Sequence, residues 1–199
     1  IGDKHIPWIH NVKNTDMVID IDDEDSQRLL RLFNTPEGRT YLKEELHLSD
    51  ELLEQLTWLG ISGIANVLCC IKMAKYYELT ERDVVGTVLT DSAVMYGSRI
   101  QELNELHGAY TVREAAMDHA IHMLGLKTDS MMELTYRDRK RIHNLKYYTW
   151  VEQQGKTAEE LDALWYDTEG TWDAVHAQAK DLDELINAFN EATGVLKTL

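Results

Sequence analysis

Cysteine is scarce in this sequence, and the positions of its cysteines argue against a stabilising disulfide. Only two cysteines occur among the 199 residues, Cys69 and Cys70, and they are neighbours in an apolar run. Successive side chains of a helix point about 100° apart, so no structural disulfide is expected between them. Reduced, buried thiols are typical of a cytoplasmic protein, which is the location we expect.

The sequence also lacks the segments that direct a chain to a membrane. It contains no signal peptide and no apolar run long enough to span a bilayer. No membrane partner is therefore expected. The chain opens with "IGDKHIPWIHN" rather than with methionine, which we interpret as a fragment or a processed part of a longer protein.

Positive charge is scarce as well. Acidic residues outnumber basic ones by 35 to 20, and the formal net charge is −15. This balance argues against nucleic acid as a partner and favours a role of the charge in solubility. With 199 residues, 44% of them hydrophobic, the chain can bury one sizeable core, or one core with a helical appendage.

The first hundred residues combine strand and helix patterns. "MVIDI" (17–21) alternates as a short strand does, and "DDEDSQRLLRLF" (22–33) predicts a helix with carboxylates in its first turn. Residues 64–74 are apolar nearly all round, as in a helix buried against a sheet. "VVGTVL" (84–89) is typical of an interior parallel strand. This order predicts an α/β fold.

Beyond residue 100 the pattern becomes helical. Two capping boxes, Thr111 with Glu114 and Thr157 with Glu160, predict helix starts, and no further strand is expected. We therefore predict two parts. Residues 1–100 form the parallel-sheet part, and residues 101–199 form an all-helical extension that makes an interface or covers a cleft.

The end of the predicted strand carries the first candidate site residue. Thr90, Asp91 and Ser92 follow the apolar run 84–89 directly. Ligands bind at the carboxyl ends of parallel strands, which makes Ser92 the leading candidate. Ser92 lacks the Gly-x-Ser-x-Gly frame of a hydrolase nucleophile.

Two other groups of residues allow alternative interpretations. "GISG" (60–63) places Ser62 and Gly63 at a helix start, where backbone N–H groups bind anions or where helix and sheet pack closely. Asp118, His119 and His122 lie within about one helical turn, and histidines at i, i+3 can chelate a metal. The pair lacks a clear third ligand, so we predict a polar helix surface and no metal.

Four segments, taken in order, resemble a known family. They are "GDKHIPWIHNV", "DMVIDIDDEDSQRLLRLF", "LGISGIANVLCCIKMAKYY" and "DVVGTVLTDSAVMYGSR". Their order and spacing over residues 1–99 resemble the second half of the fold-type II pyridoxal-phosphate enzymes, the cysteine synthase, cystathionine β-synthase and tryptophan synthase β-like group. "RIHNLKYYTWVEQQGKT" (141–157) is similar to the tail of a bacterial subgroup of pyridoxal-phosphate-dependent proteins.

The resemblance implies a cofactor, pyridoxal 5'-phosphate, and roles for particular residues. Ser92 matches the serine that bonds to the pyridine nitrogen, and Gly2 matches the glycine loop that borders the cofactor and substrate cleft. Ser62 and Gly63 match the helix-start turn at the substrate cleft, although the family has a second serine where this chain has Gly63. His5 departs from the family pattern and is a substrate-cleft candidate. Thr90 occupies a position where the family commonly has proline.

The resemblance also implies what this chain does not contain. The Schiff-base lysine and the glycine-rich phosphate loop lie in the family's first half, and Lys4, Lys13, Lys72 and Lys75 match neither element. No catalytic residue is therefore assigned within this fragment. We expect it to need the N-terminal half of the same enzyme.

The resemblance further implies a homodimer that catalyses β-elimination or β-replacement on an amino-acid substrate. Asp91 is expected to brace the turn rather than to face the cofactor. The alternative is a non-catalytic α/β plus helical module with a binding or regulatory role.

Overall fold

The computed structural model describes residues 5–197, which form two compact units. The first unit is Met17–Glu133, and the second combines residues 5–16 with residues 134–197. Both consist mainly of helices. The first unit contains two short strands and six helices: β1 (Met17–Ile19), α1 (Asp23–Asn34), α2 (Pro36–Glu44), α3 (Asp50–Gln55), α4 (Ile61–Tyr76), α5 (Gly97–His107), α6 (Val112–Asp118) and β2 (Met131–Glu133).

Polar side chains fix the starts of the first three helices. Asp22 accepts a hydrogen bond from the Glu24 amide at 2.9 Å, which begins α1 with its carboxylates in the first turn. Thr35 caps α2 and is followed by Pro36 at the first helical position. Ser49 caps α3 by accepting from the Leu52 amide at 3.2 Å. The start of α1 confirms the helix predicted over residues 22–33, with its carboxylates in the first turn.

The apolar faces of these helices form the core of the first unit. An arginine is buried with them: Arg31 is fully buried, and its Nη2 donates to Asn104 Oδ1 and to the Gly108 carbonyl, each at 2.9 Å. Its guanidinium also lies 4.6 Å from the ring centroid of Tyr110. These contacts join α1 to the end of α5. The apolar core residues are Leu29, Leu30, Leu32, Phe33, Leu42, Leu53, Ile61, Ile64, Leu68, Ala93, Tyr110, Ala115 and Leu126.

The predicted α/β fold with a parallel sheet is wrong. Within residues 5–197 the only sheet has two strands, β1 and β2, which pair antiparallel with Met17 opposite Glu133 and Ile19 opposite Met131. β1 confirms the strand predicted at 17–21, in a shorter form. β2 contradicts the expectation that no strand follows residue 100. It is three residues long, too short for its alternation to stand out in the sequence.

The segment 84–89 is not a strand. A strand requires a neighbour for its backbone groups, and no strand among residues 5–197 pairs with this segment. The carbonyl of Val88 instead accepts a hydrogen bond from the side-chain amide of Asn66 at 2.8 Å. Val84 is 97% exposed and Val88 71% exposed, so the apolar run that predicted an interior strand is largely open to solvent.

The second unit contains four α-helices among its described residues. They are α7 (Tyr136–Lys146), α8 (Ala158–Tyr166), α9 (Ala174–Ala177) and α10 (Ala179–Thr193). Five residues of π-helix, Tyr147–Val151, extend α7, and a second π-helical segment, Glu169–Asp173, precedes α9. The predicted capping box at Thr157 and Glu160 is confirmed, as is the one at Thr111 and Glu114 in the first unit.

Buried polar groups hold α7 in the second unit. Lys146 is fully buried, and its Nζ donates to the carbonyls of Trp8 and His10 at 2.8 and 2.7 Å. Burial lowers the pKa of Lys146 to about 8. His143 is 2% exposed, and its Nε2 lies 3.0 Å from the Leu161 carbonyl, which links α7 to α8.

No single helix within residues 5–197 is both long and apolar enough to cross a membrane. The segments Asp50–Trp58 and Ile61–Tyr76 are long and apolar enough for a membrane span only when they are taken together, and the angle between them is 109°.

Candidate functional site

The start of α4 and the segment that follows 84–89 lie against each other. Gly60 occupies the N-cap position of α4, and its amide donates to the Asp91 carbonyl at 2.9 Å. Three of the predicted residues, Ser62, Gly63 and Ser92, therefore belong to one region of the first unit. We define the α4 site as Gly60, Ser62, Gly63, Asp91, Ser92 and Tyr96.

Gly60 allows this close approach because it has no side chain. A Cβ at this position would lie 2.6 Å from Asp91 Oδ1, 2.8 Å from Tyr96 Cε2 and 2.9 Å from the Asp91 carbonyl oxygen. The backbone of Gly60 is extended, with φ −75° and ψ −177°, which any residue can adopt. The requirement for glycine here is thus one of space and not of backbone conformation.

Asp91 is held by its neighbours. Its carboxylate accepts a hydrogen bond from Thr90 Oγ1 at 3.0 Å and another, short one from the Tyr96 hydroxyl. The bond from Tyr96 lowers the pKa of the Asp91 carboxyl, and the same bond raises the pKa of Tyr96. Asp91 therefore braces the turn, and its two oxygens are directed to residues of its own segment.

Ser92 has a different environment. It is half-buried and extended, with φ −104° and ψ 166°, and it precedes the 3-10 turn Ala93–Tyr96. Its carbonyl accepts from the Met95 amide at 3.2 Å. Its hydroxyl forms no hydrogen bond with any residue in 5–197, and it does not cap the turn. This hydroxyl can therefore donate to a ligand and accept from one.

The first turn of α4 carries Ser62 and Gly63. No side chain among the described residues caps this helix, and Ser62 is half-buried without a side-chain hydrogen bond to residues 5–197. Gly63 is buried, and a Cβ there would lie 3.5 Å from Leu59 Cδ2 and 3.6 Å from Leu89 Cδ2. Both interpretations of "GISG" thus keep some support, since Gly63 packs closely while the helix start stays uncapped.

The two remaining predicted site residues are Gly2 and His5. Gly2 lies outside the described residues. His5 belongs to the second unit, where it is exposed and its Nδ1 lies 2.9 Å from Thr149 Oγ1.

Three lysines considered in the sequence, Lys13, Lys72 and Lys75, are occupied by structural contacts. Lys72 is buried in α4, and its Nζ donates to the Asp20 carbonyl at 3.0 Å and lies 3.5 Å from Asp129 Oδ1. Lys75 donates to two carbonyls that follow the α6 region, and Lys13 donates to a carbonyl and a hydroxyl in its own unit. None of these three has the free amine that a Schiff-base lysine needs.

The histidines near the end of α6 take part in hydrogen bonds between helices. His122 Nδ1 lies 2.6 Å from Asp25 Oδ1 and its Nε2 lies 4.0 Å from Asp118 Oδ1. His119 Nδ1 lies 3.0 Å from the Tyr41 hydroxyl, and burial lowers the pKa of His119. No three histidine, cysteine, aspartate or glutamate side chains among residues 5–197 are arranged to hold a metal ion.

Sequence reasoning missed a cavity of about 730 Å³ in the second unit. α7 and its π-helical extension form one wall, and α8 forms the other. The signal was present in the composition: α7 holds five of the chain's 20 lysines and arginines within eleven residues.

Comparisons of the chain with protein-family models, with curated proteins and with solved structures find no match. The resemblance to the cysteine synthase group therefore depends on the four segments quoted above. The function is inferred from those segments and from the geometry of the α4 site.

Proposed function

We propose that this chain is the C-terminal portion of a pyridoxal-phosphate-dependent enzyme, similar to the cysteine synthase group, that acts at the β-carbon of an amino acid. In this proposal the hydroxyl of Ser92 bonds to the pyridine nitrogen of the cofactor. One observation carries the proposal. The half-buried hydroxyl of Ser92 forms no hydrogen bond within residues 5–197, whereas the carboxylate of the preceding Asp91 accepts hydrogen bonds from Thr90 and Tyr96.

The properties of Ser92 suit the proposed chemistry. When bound, pyridoxal phosphate supplies the electron sink that allows an amino acid to lose its α-proton and a β-substituent. A neutral hydroxyl bonds to the pyridine nitrogen without forcing a proton onto it, whereas a carboxylate would favour the protonated ring. The weaker sink favours elimination and replacement over transamination. Asp91 does not oppose this tuning, because its carboxylate bonds to Tyr96 and Thr90.

The first turn of α4 has a binding role in this proposal. Backbone N–H groups at a helix start favour anions, so Ser62 and Gly63 would bind a polar group of the substrate. The roles of His5 and Gly2 depend on the resemblance alone, because His5 belongs to the second unit and Gly2 lies outside the described residues.

The remaining parts of the enzyme lie outside this chain in our proposal. A segment that bears the Schiff-base lysine and a glycine-rich phosphate loop must come from the N-terminal half of the enzyme, as a separate chain or in the same polypeptide. The contacts of Lys13, Lys72 and Lys75 support this requirement. The proposed enzyme is a homodimer. A cytoplasmic location is supported by the two cysteines, which are free thiols.

The test uses the complete protein that carries these residues. We expect it to bind pyridoxal phosphate with the visible absorption of a lysine-bound cofactor. Ser92→Asp should retain the cofactor and lose β-elimination activity, whereas Ser92→Thr should retain both. Ser98→Asp is a matched control, because Ser98 is exposed and lies six residues along the chain. Full activity in Ser92→Asp, or a complete protein that binds no cofactor, would contradict the proposal.

The second candidate is a non-catalytic binding or regulatory module. The observation that favours it is the mostly helical architecture of residues 5–197, which differs from the sheet that the resemblance implied. A polypeptide in which an unrelated domain accompanies this chain would favour the module. A lysine-bearing segment with a glycine-rich loop would favour the enzyme.

A further inference from the structure

The cavity in the second unit is walled by two helices in fixed contact. His143 of α7 lies 3.0 Å from the Leu161 carbonyl of α8, and its ring centroid is 5.1 Å from that of Trp165. Tyr136, at the start of α7, meets the same Trp165 ring edge-on at 5.6 Å. The volume of about 730 Å³ is in the range of small-molecule sites, about 300 to 1,000 Å³.

Three cations and one carboxylate, Asp162, line the cavity. Arg137 forms no ion pair or hydrogen bond with any residue in 5–197, and Arg141 reaches Asp138 only at 3.7 Å. Lys140 lies over the rings of Trp165 and Tyr166, 4.8 and 4.6 Å from their centroids, without a carboxylate partner in the described chain. Lys140 and Arg141 lie three and four residues after Arg137, so both are on the same side of α7 as Arg137.

This local charge is opposite in sign to the chain as a whole, which carries −15. Charges separated by more than a Debye length, about 8 Å at physiological salt, are largely screened. An anion in the cavity therefore responds mainly to the lining charges, which are Arg137, Lys140 and Arg141 against the one carboxylate of Asp162. Two neighbouring guanidinium groups offer paired N–H donors whose geometry matches phosphate oxygens.

The other cavity residues add flat rings and one acceptor. Tyr136, Tyr147 and Tyr148 line the space and are 66%, 40% and 60% exposed. Tyr147 and Tyr148 meet at right angles with their centroids 5.9 Å apart, and an exposed tyrosine ring can stack on a planar ligand. Tyr147 and Tyr148 begin the π-helical extension of α7, and such segments occur frequently at functional sites. Asp162 on the α8 wall is exposed and can accept hydrogen bonds from hydroxyl groups of a ligand.

We infer that this cavity binds a nucleoside diphosphate. The guanidinium groups of Arg137 and Arg141 hold the phosphates, a tyrosine ring stacks on the base, and Asp162 accepts from the sugar hydroxyls. The cations alone would suit any small anion. The tyrosines and Asp162 restrict the ligand to one that also carries a planar ring and hydroxyl groups. The cavity belongs to the second unit and the α4 site to the first. The inference about the cavity is therefore independent of the proposed pyridoxal-phosphate enzyme.

The test measures binding of ADP, adenosine and pyrophosphate to the full chain by isothermal titration calorimetry. ADP should bind, and adenosine and pyrophosphate should each bind at least about tenfold more weakly, because each lacks part of the contact set. Arg137→Gln and Arg141→Gln should each weaken ADP binding about tenfold or more, as expected for a lost hydrogen bond to a charged group. Tyr148→Leu should also weaken it.

Arg113→Gln is the matched control, because it removes the same charge from an exposed arginine on α6 of the first unit. It should leave ADP affinity unchanged. Arg137 and Arg141 are exposed, so their variants should keep the wild-type circular dichroism spectrum and melting temperature. Three results would overturn the inference: no ADP binding at millimolar concentration, equal affinities for ADP and pyrophosphate, or an equal loss of affinity in Arg113→Gln.

Discussion

Two glycines three residues apart at the start of α4 should respond oppositely to the same substitution. Gly60→Ala adds a Cβ that lies 2.9 Å from the Asp91 carbonyl oxygen and 2.6 Å from a carboxylate oxygen of the same residue. Gly63→Ala adds a Cβ whose nearest neighbours are the Leu59 and Leu89 methyl groups, at 3.5 and 3.6 Å. The first Cβ must displace backbone, whereas the second makes ordinary van der Waals contacts.

The magnitudes follow from these distances. Overpacking at Gly60 costs about 1 to 3 kcal/mol, and alanine is also a poorer N-cap residue than glycine. At Gly63, alanine reduces the entropy of the unfolded chain and favours the helix, which stabilises the fold by about 0.5 kcal/mol. For a chain of this size, 1 kcal/mol corresponds to a shift of about 2 to 4 °C in melting temperature. We expect Gly60→Ala to melt about 2 to 12 °C lower and Gly63→Ala about 1 to 2 °C higher than wild type, from these same free energies.

Thermal unfolding followed by far-ultraviolet circular dichroism measures both shifts. Hydrogen exchange of the α4 amides then shows whether the change is located in that helix, since a local effect should appear there first. Equal melting temperatures for wild type and Gly60→Ala would refute the reasoning, because they would mean that Gly60 and Asp91 do not approach closely.

Three further predictions concern other residues. Burial, with a smaller effect from Lys146, lowers the pKa of His143 to about 4. Neutral His143 therefore stabilises the fold above pH 6.5, and this stabilisation is lost as the pH falls to about 4. Urea unfolding should show a loss of about 3 kcal/mol over that range that His143→Gln lacks; parallel curves for the two proteins would refute this. Tyr96→Phe removes the bond that lowers the pKa of Asp91, so an NMR titration should find that pKa raised; no change would show that the bond does not form in solution. The proposed homodimer would bury exposed apolar surface, and Val88 is 71% exposed, so Val88→Lys should weaken the dimer in sedimentation velocity; an unchanged dimer, or a wild-type monomer, would contradict this.

Local signals in the sequence predicted the helix starts correctly. The start of α1 and the capping boxes at Thr111 and Thr157 depend on hydrogen bonds within a few residues, which is why sequence spacing reveals them. A further capping box, Thr135 with Asp138, was not predicted from the sequence. Its N3 residue, three positions after the N-cap, is aspartate where the usual pattern has glutamate. The same pattern with aspartate would have found it.

Sheet structure was predicted poorly because it depends on distant partners. The apolar run 84–89 has the composition of an interior strand, yet its backbone is paired with no strand among the described residues. β1 instead pairs with β2, more than a hundred residues away, and nothing local marks β2 as its partner. Composition therefore indicates strand propensity but does not supply the neighbour that makes a strand.

The candidate site was predictable only in part. "GISG" identified the helix start that contains Ser62. Ser92 was selected as the residue at the end of a parallel strand, but residues 84–89 form no strand, so its role stays a prediction. Their proximity depends on the hydrogen bond between Gly60 and Asp91, which no sequence pattern shows. The cavity of the second unit was missed because the net charge of the whole chain concealed the basic surface of α7.

The protonation state of the cofactor nitrogen tests the central proposal most directly. The complete protein can be loaded with pyridoxal phosphate that carries ¹⁵N in its ring, and the nitrogen shift can be read by NMR. A hydrogen-bonded but unprotonated nitrogen in the wild type, which becomes protonated in Ser92→Asp, is the predicted result. A nitrogen that is protonated in the wild type, or one that does not respond to Ser92→Asp, would contradict the assignment of Ser92.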